Sequence, residues 1–392
     1  MKICVLGAGV VGVSTAFALS RLGHTVEVIE QADTVASGAS HANGAQLSWS
    51  HTDPLASPAI VGKLPRYLLG LDPAMRIYPS LNPQFLKWGL SFLSHCRSGT
   101  FQRGRQERHV LAEDSRQALA SFERDWSGDA LPRTGVGKIV LAQTRKQQRT
   151  MQASDNYRTA DECNEIEPAL TSWNGSHLGG LYAPDDCALN TVHFCERLKE
   201  VAETEFGVIY RFGETAQFIC MRQGRVMGVV TNKHQTDCDA VVVCLGNQTN
   251  DLLQPLGLSL PICPVRGYSV TFPARAAAPK ASVTDLTHKI VFANLGEQVR
   301  IAGFADVNAP QRRAPQRIKT LIDIARTCWP DIADYDADPS PWSGARPMTP
   351  SGIPIIGKAS IDGLFLNAGH GSLGYTFAAG SAMRIAEHIG GL

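Results

Sequence analysis

Residues 3–30 run Ile3-Cys4-Val5-Leu6, Gly7-Ala8-Gly9-Val10-Val11-Gly12, Val13-Ser14-Thr15-Ala16-Phe17-Ala18-Leu19-Ser20-Arg21-Leu22-Gly23, and His24-Thr25-Val26-Glu27-Val28-Ile29-Glu30. The first block is a short apolar strand. Val13, Ala16, Phe17 and Ser20 recur at i, i+3, i+4 and i+7, the spacing of one helix face, and Gly23 supplies the stop. The last block is a second strand ending in an acid. Strand, G-x-G-x-x-G, helix, strand and acid within about thirty residues make a dinucleotide-binding unit. Gly7 allows the tight turn, Gly9 lets backbone approach a pyrophosphate, and Gly12 lets the helix pack close to the strand. The helix N-terminus offers free N–H groups and partial positive charge to the diphosphate. Glu30, 21 residues after Gly9, is placed to accept from ribose hydroxyls and disfavours a 2′-phosphate. This motif alone leaves NAD and FAD equally open.

The whole chain has 392 residues, which suggests two to three domains. With 37 Lys+Arg against 36 Asp+Glu, the balance gives no support to nucleic-acid binding through a basic surface. The ten cysteines contain no C-x-x-C pair and read as small hydrophobes in a reducing compartment. The first residues already read as core strand, so no leader is expected. No uncharged apolar run is long enough to cross a membrane. A cytoplasmic placement is expected.

Beyond Glu30, residues 36–47 are small and polar, a loop where an extended dinucleotide would continue. Residues 54–83 carry six prolines and predict short, broken elements. Pro83–Leu93 is apolar and aromatic. A buried helix is the simpler reading, and peripheral docking on a membrane is the other. Helices are expected over 101–124, 192–205 and 312–330. Strands are expected over 135–141, 207–212, 217–220 and 226–230, with 179–182 as an edge strand. Asp239–Asn247 is apolar throughout, as a parallel strand buried on both faces reads. From 261 to 305 the pattern becomes antiparallel, and 336–341 looks like a linker. The expected class is α/β. A discontinuous Rossmann-like domain spans 1–56, 186–262 and 344–392. A mainly antiparallel-sheet substrate domain spans 57–185 and 263–343.

Near the end, Gly363–Ala368 is a strand, Gly369-His370-Gly371-Ser372-Leu373-Gly374 a second glycine turn, and Tyr375–Ile389 a helix. A helix N-terminus there would stabilise the negative charge of a reduced isoalloxazine, which moves the reading from NAD to FAD. The other reading is close packing alone. Upstream, Pro347 holds Arg346 extended, and a guanidinium fork suits a substrate carboxylate. A structural arginine paired to an internal acid is the equal alternative.

These motifs together resemble the FAD-dependent amine and amino-acid oxidoreductases of the D-amino acid oxidase type. The nearest group is the FAD-bearing small subunits of bacterial D-amino acid dehydrogenases. The resemblance runs over nearly the whole chain. It rests on Gly7–Val13, Ala42-Asn43 with Gln46, Phe85–Trp88, Pro264–Ser269, Gly344–Pro350 and Leu366–Thr376. It implies that Arg346 binds the substrate carboxylate, with Tyr268 and His288 as further catalytic candidates. His288 stands where relatives often have a pocket tyrosine. His51 and His370 are read as structural. The implied cofactor contacts are Gly7, Gly9, Val10, Val11, Gly12, Glu30, Gln31, Ser40, His41, Asn43, Gly44, Gln46, Leu47, Ala216, Gly246, Gly371, Ser372, Leu373, Gly374, Tyr375 and Thr376. Thr376 would hydrogen-bond the flavin C2 oxygen. Gly344–Gly357 holds no cysteine, so FAD is expected to be non-covalent. The implied reaction moves a hydride from Cα of an amino acid, a D-amino acid by the resemblance, to flavin N5. The imine then hydrolyses to a 2-oxo acid and ammonia. Electrons would pass to a quinone or another carrier, from an enzyme at the inner face of a membrane, with an oligomer or partner subunit compatible. The alternatives are a glycine, sarcosine or proline-type oxidase reducing O2, and a non-catalytic FAD-binding subunit.

Overall fold

The computed structural model describes residues 1–126, 133, 135–175 and 177–390. In chain order the elements used below begin with β1 (Lys2–Leu6), α1 (Val10–Arg21), β2 (Thr25–Ile29), α2 (Leu64–Leu68), α3 (Pro83–His95), α4 (Ser98–Arg124) and β3 (Lys138–Leu141). Next come α5 (Thr191–Phe206), β4 (Ile209–Arg211), β5 (Ala240–Val243), β6 (Cys263–Pro273), β7 (Ser282–Asp285), β8 (Ile290–Asn294) and β9 (Gln298–Val307). Last are α6 (Ala314–Cys328), β10 (Ser340–Met348), β11 (Ile355–Lys358), β12 (Leu364–Ala368) and α7 (Gly374–Gly390).

Two sheets organise the molecule. The first has six strands in the order β11-β12-β5-β1-β2-β4, parallel except for β11. β1 and β5 sit inside it, covered on both faces, which is why they read as unbroken apolar runs. α1 packs on α7 and α5, and α7 also packs on α4. Gly380 makes the α7–α4 crossing close: a Cβ there would stand 2.7 Å from the Ser115 backbone nitrogen.

The second sheet has nine strands in the order β10-β6-β9-β8-β7-β3, then Gly180–Ala183 and Tyr157–Arg158, with Met75–Ile77 alongside β9. It is antiparallel apart from the β3–β7 and Met75–Ile77 pairings. α6 packs on β6 and β9. A separate three-stranded meander covers residues 216–237.

Three expectations change. Gly180–Ala183 is paired on both sides and is not an edge strand. β10 is the edge strand, where Pro341 and Pro347 cost no ladder bonds on the open side. It begins at Ser340, inside the expected linker, and the 343/344 boundary falls within it. Finally, α3 buries only Trp88 and Phe92, while Leu86, Leu90 and Leu93 face out, so it is not a buried helix. Among the described residues no helix is long and apolar enough to cross a membrane.

Candidate active site

A cavity of about 930 Å³ opens between the two sheets. Its first wall is built by the N-terminal glycine turn. Gly7 has φ +97°, and a Cβ there would stand 2.9 Å from the Cys244 carbonyl oxygen. A Cβ on Gly12 would stand 1.8 Å from the Gly7 carbonyl oxygen, so Gly12 lies behind the cavity wall and serves packing. Gly9, Val10 and Val11 line the cavity, and Val10 N–H donates to Ser40 Oγ at 3.1 Å. The Glu30 carboxylate accepts Ala8 N–H at 2.7 Å and Ala32 N–H at 2.9 Å. Glu30 therefore braces the glycine turn as well as lining the cavity. Gln31 bonds Gln248 at 3.0 Å on the rim, and Ala216 and Gly246 line the same wall.

The 40s loop forms the floor. Asn43 Oδ1 accepts Ala45 N–H at 2.8 Å and the Thr191 hydroxyl at 2.9 Å, which shapes the loop. Gln46 donates to Ser282 Oγ at 2.5 Å and so ties the loop to β7. Asn43, Gly44 and Gln46 line the cavity. His41 and Leu47 do not: His41 is exposed to solvent, and Leu47 points into the core from a short strand.

At the second glycine turn, Gly371, Ser372, Leu373, Gly374 and Tyr375 all line the cavity. Thr376 is not brought to its surface. It is fully buried one position further along α7, where its hydroxyl accepts Ser48 N–H at 3.2 Å. Four of the residues along the cavity, Asn247, Asn367, His370 and Tyr375, also carry a polar side-chain atom that is buried without a protein partner. Burial holds the His370 pKa down to about 3. With the pyrophosphate cradle at one end and a second helix N-terminus at the other, the residues present fit an extended flavin dinucleotide.

The opposite wall carries Arg346 on β10. Gly267 makes room for it: a Cβ there would stand 2.2 Å from Arg346 Nη2. Gly344 makes room for the neighbouring Trp342 ring, from which a Cβ would stand 2.1 Å. Arg346 Nη1 donates to the Phe304 carbonyl oxygen at 2.8 Å. Asp306, the nearby acid, is already engaged. It takes both arms of the Arg317 fork at 2.8 Å and the Tyr268 hydroxyl at 2.9 Å. Among the described residues no carboxylate lies within ion-pair distance of Arg346. The side chain is half-exposed to the cavity yet largely shut off from bulk solvent. Burial lowers its pKa, with Asp306 and Tyr268 opposing. An arginine held in this way is short of an anion.

Tyr268 lines the cavity with its ring, its hydroxyl committed to Asp306. Burial, reinforced by that carboxylate, raises its pKa. It is a wall, with no proton to lend. His288 does not reach the cavity. Its Nδ1 bonds Asp285 at 2.6 Å, with Cys328 Sγ 3.7 Å away. The next residue, Lys289, takes the place at the cavity. Its φ of +55° swings the chain, and its ammonium sits 4.9 Å over the Tyr67 ring and 3.6 Å from Asp72. Burial lowers its pKa, Asp72 opposing.

Sequence reasoning missed Lys289 and also Lys138. Lys138 donates to Ser48 Oγ at 2.8 Å, and Ser48 donates to Asp186 at 3.1 Å. Burial brings its pKa down to about 8, against the pull of Asp186. The available signal was a lysine inside the apolar run Gly137-Lys138-Ile139-Val140-Leu141. Neighbouring His51 is held neutral at about 4 by burial and by Lys138.

A family model described as FAD dependent oxidoreductase matches residues 2–388. D-amino acid dehydrogenase 2 of Ralstonia nicotianae is 38% identical over 412 residues, covering 99% of this chain and 96% of that protein. D-amino acid dehydrogenase of Rhizobium johnstonii is 35% identical over 404 residues, covering 100% and 96%. Among solved structures, glycine oxidase from Bacillus cereus superposes with a TM-score of 0.73 at 21% identity. It covers 99% of this chain and 97% of that one, which shows a shared fold.

Proposed function

Because the chain belongs to the FAD-dependent oxidoreductase family, we propose that it oxidises D-amino acids, with Arg346 as the anchor of the substrate carboxylate. The observation that carries this reading is the Arg346 fork. It is desolvated, rigidly seated, and without an acid, because Asp306 belongs to Arg317. A planar carboxylate completes such a fork with two charge-assisted hydrogen bonds. The same observation favours a catalytic protein over a non-catalytic FAD-binding subunit, which has no use for an unpaired buried cation.

The glycine turn at Gly7–Gly12, Glu30, Ser40, the Asn43–Gln46 floor, Ala216, Gly246 and the Gly371–Tyr375 turn would hold FAD without a covalent bond. When bound, FAD supplies a two-electron acceptor for the substrate's Cα–H bond. The residues of the chain position and desolvate. Arg346, seated against Gly267, fixes the carboxylate, which fixes Cα by geometry. Tyr268 and Phe304 form an apolar wall behind it. Thr376 acts from behind the wall, holding Ser48 N–H in place. The oxidised product is an imine, which water converts to a 2-oxo acid and ammonia.

Electrons leave to a quinone or similar carrier rather than to O2, from an enzyme on the cytoplasmic side in peripheral contact with a membrane. The deciding experiment is an anaerobic titration of the purified yellow protein with D- and L-amino acids, following loss of flavin absorbance. Bleaching by D-amino acids and not by amines lacking a carboxylate supports the reading. Bleaching by glycine or sarcosine, followed by prompt reoxidation in air with stoichiometric peroxide, would replace it with an oxidase.

A further inference from the structure

We infer that the surface formed by residues 58–97 docks onto an anionic lipid bilayer, with its inner side closing onto the active-site cavity. Among the described residues, eight of the seventeen exposed large hydrophobic side chains lie between Val61 and Leu93. The most exposed are Leu81 (91%), Leu69 (72%), Leu90 (71%) and Leu71 (63%). Folding gains nothing from such side chains, and apolar exposure concentrated in one segment marks an interaction site.

The arrangement is two-faced by construction. On α3, Trp88 and Phe92, four residues apart, turn inward and stack at 5.1 Å. Trp88 Nε1–H donates to the Met348 carbonyl oxygen at 2.8 Å, at the end of the strand that carries Arg346. Leu86, Leu90 and Leu93 follow the same helical spacing on the outer face, where a water-facing helix would be polar. α2 repeats the pattern in short. Tyr67 is buried against Lys289, a cavity-lining residue, while Leu68 and Leu69 face out.

Charge selects the occupant. Residues 54–103 hold Lys63, Arg66, Arg76, Lys87, Arg97 and Arg103 against the single acid Asp72, although the whole chain is nearly neutral. Among the described residues none of these six cations forms an ion pair. Exposed leucines interspersed along the segment with unpaired cations suit an interface of lipid tails below anionic headgroups. A second copy fits less well, because a two-fold contact would set this positive surface against itself. Docking here would place the cavity against the bilayer, where a lipid-soluble acceptor resides. The surface stands on its own observations, and only its purpose rests on the reading of the acceptor given above.

The test uses the FAD-loaded protein and sedimentation with vesicles of phosphatidylglycerol and phosphatidylcholine in equal parts, against phosphatidylcholine alone. The protein should sediment with the mixed vesicles, less in high salt, and weakly with phosphatidylcholine alone. The double variant Leu69→Ser/Leu90→Ser should lose about ten-fold or more of that partition. Lys87→Glu should weaken it further in low salt, with flavin spectrum and substrate reduction in solution unchanged. Equal binding to both vesicles, or no effect of the variants, overturns the proposal. So does a concentration-dependent dimer that the leucine variants dissociate, which would make the surface a subunit interface. Failure of D-amino acids to bleach the flavin would sink the catalytic reading while leaving the vesicle result untouched.

Discussion

Arg346→Ala should lower kcat/KM for D-amino acids by two to four decades. A carboxylate meeting this fork gains two hydrogen bonds to a charged group, each of about 1.5–3 kcal/mol. Together these come to about 3–6 kcal/mol, and each 1.36 kcal/mol is about ten-fold in rate. Most of this value is available because the cavity walls screen the guanidinium from bulk solvent. The fold should survive. Asp306 keeps Arg317 and the Tyr268 hydroxyl, so no buried acid is orphaned, and the thermal midpoint should move little. Anaerobic stopped-flow reduction, with FAD content checked beforehand, separates the effect from cofactor loss. Arg346→Lys should recover part of the rate, since charge returns without the fork. An alanine variant that reduces within about three-fold of wild type would refute carboxylate anchoring at this residue.

Other outcomes follow from neighbouring geometry. Gly267→Ala sets a Cβ into the space held by Arg346 Nη2 and should cost about ten-fold or more in kcat/KM without removing any charge, read in the same stopped-flow assay. Glu30→Ala should weaken FAD by about 1–3 kcal/mol, measured by cofactor dissociation, and acid precipitation of wild type should release all colour to the supernatant. Lys138 titrates near 8 when folded against 10.5 unfolded, so the folded state binds fewer protons between these values. Stability relative to Lys138→Met should therefore rise as pH climbs through that window, read as thermal midpoints. His51 and His370, held near 4 and 3, work in the same direction at lower pH: their contribution is complete above pH 6.5 and is lost as pH falls below it. His370→Asn should flatten part of that acid slope.

The parts legible in sequence are those whose causes are local. Gly7 is needed for its φ of +97° and Gly12 for its approach to the Gly7 carbonyl, both within a single turn, so their spacing announces the strand–turn–helix. Arg346-Pro347 was legible because proline restricts its neighbour. The choice between carboxylate anchor and structural arginine was not, because it depends on Asp306 being taken by Arg317, and on which strands are neighbours. His288 failed for a one-residue reason. Adjacent positions at a strand entrance face opposite sides, and the left-handed turn at Lys289 brings the lysine, not the histidine, to the cavity. Lys138 was hidden because its partners Ser48 and Asp186 come from distant segments. For α3, an apolar and aromatic composition could not say that the core would take only Trp88 and Phe92.

The order of the six-stranded sheet sets a schedule for the newborn chain. β1 leaves the ribosome long before its neighbour β5, which begins at Ala240, and before β12, which begins at Leu364. Until then the central strand has β2 on one side and an open edge on the other, a template for mispairing. Helix α7, which follows the second glycine turn and packs on α1, is made later still. The cofactor site therefore cannot close until α7 has been made, and long-range pairing of this kind folds slowly. FAD capture waits for that helix. A molecule cut before Leu364 would retain the pyrophosphate turn, lack the flavin end, and present an unpaired parallel strand to chaperones and proteases.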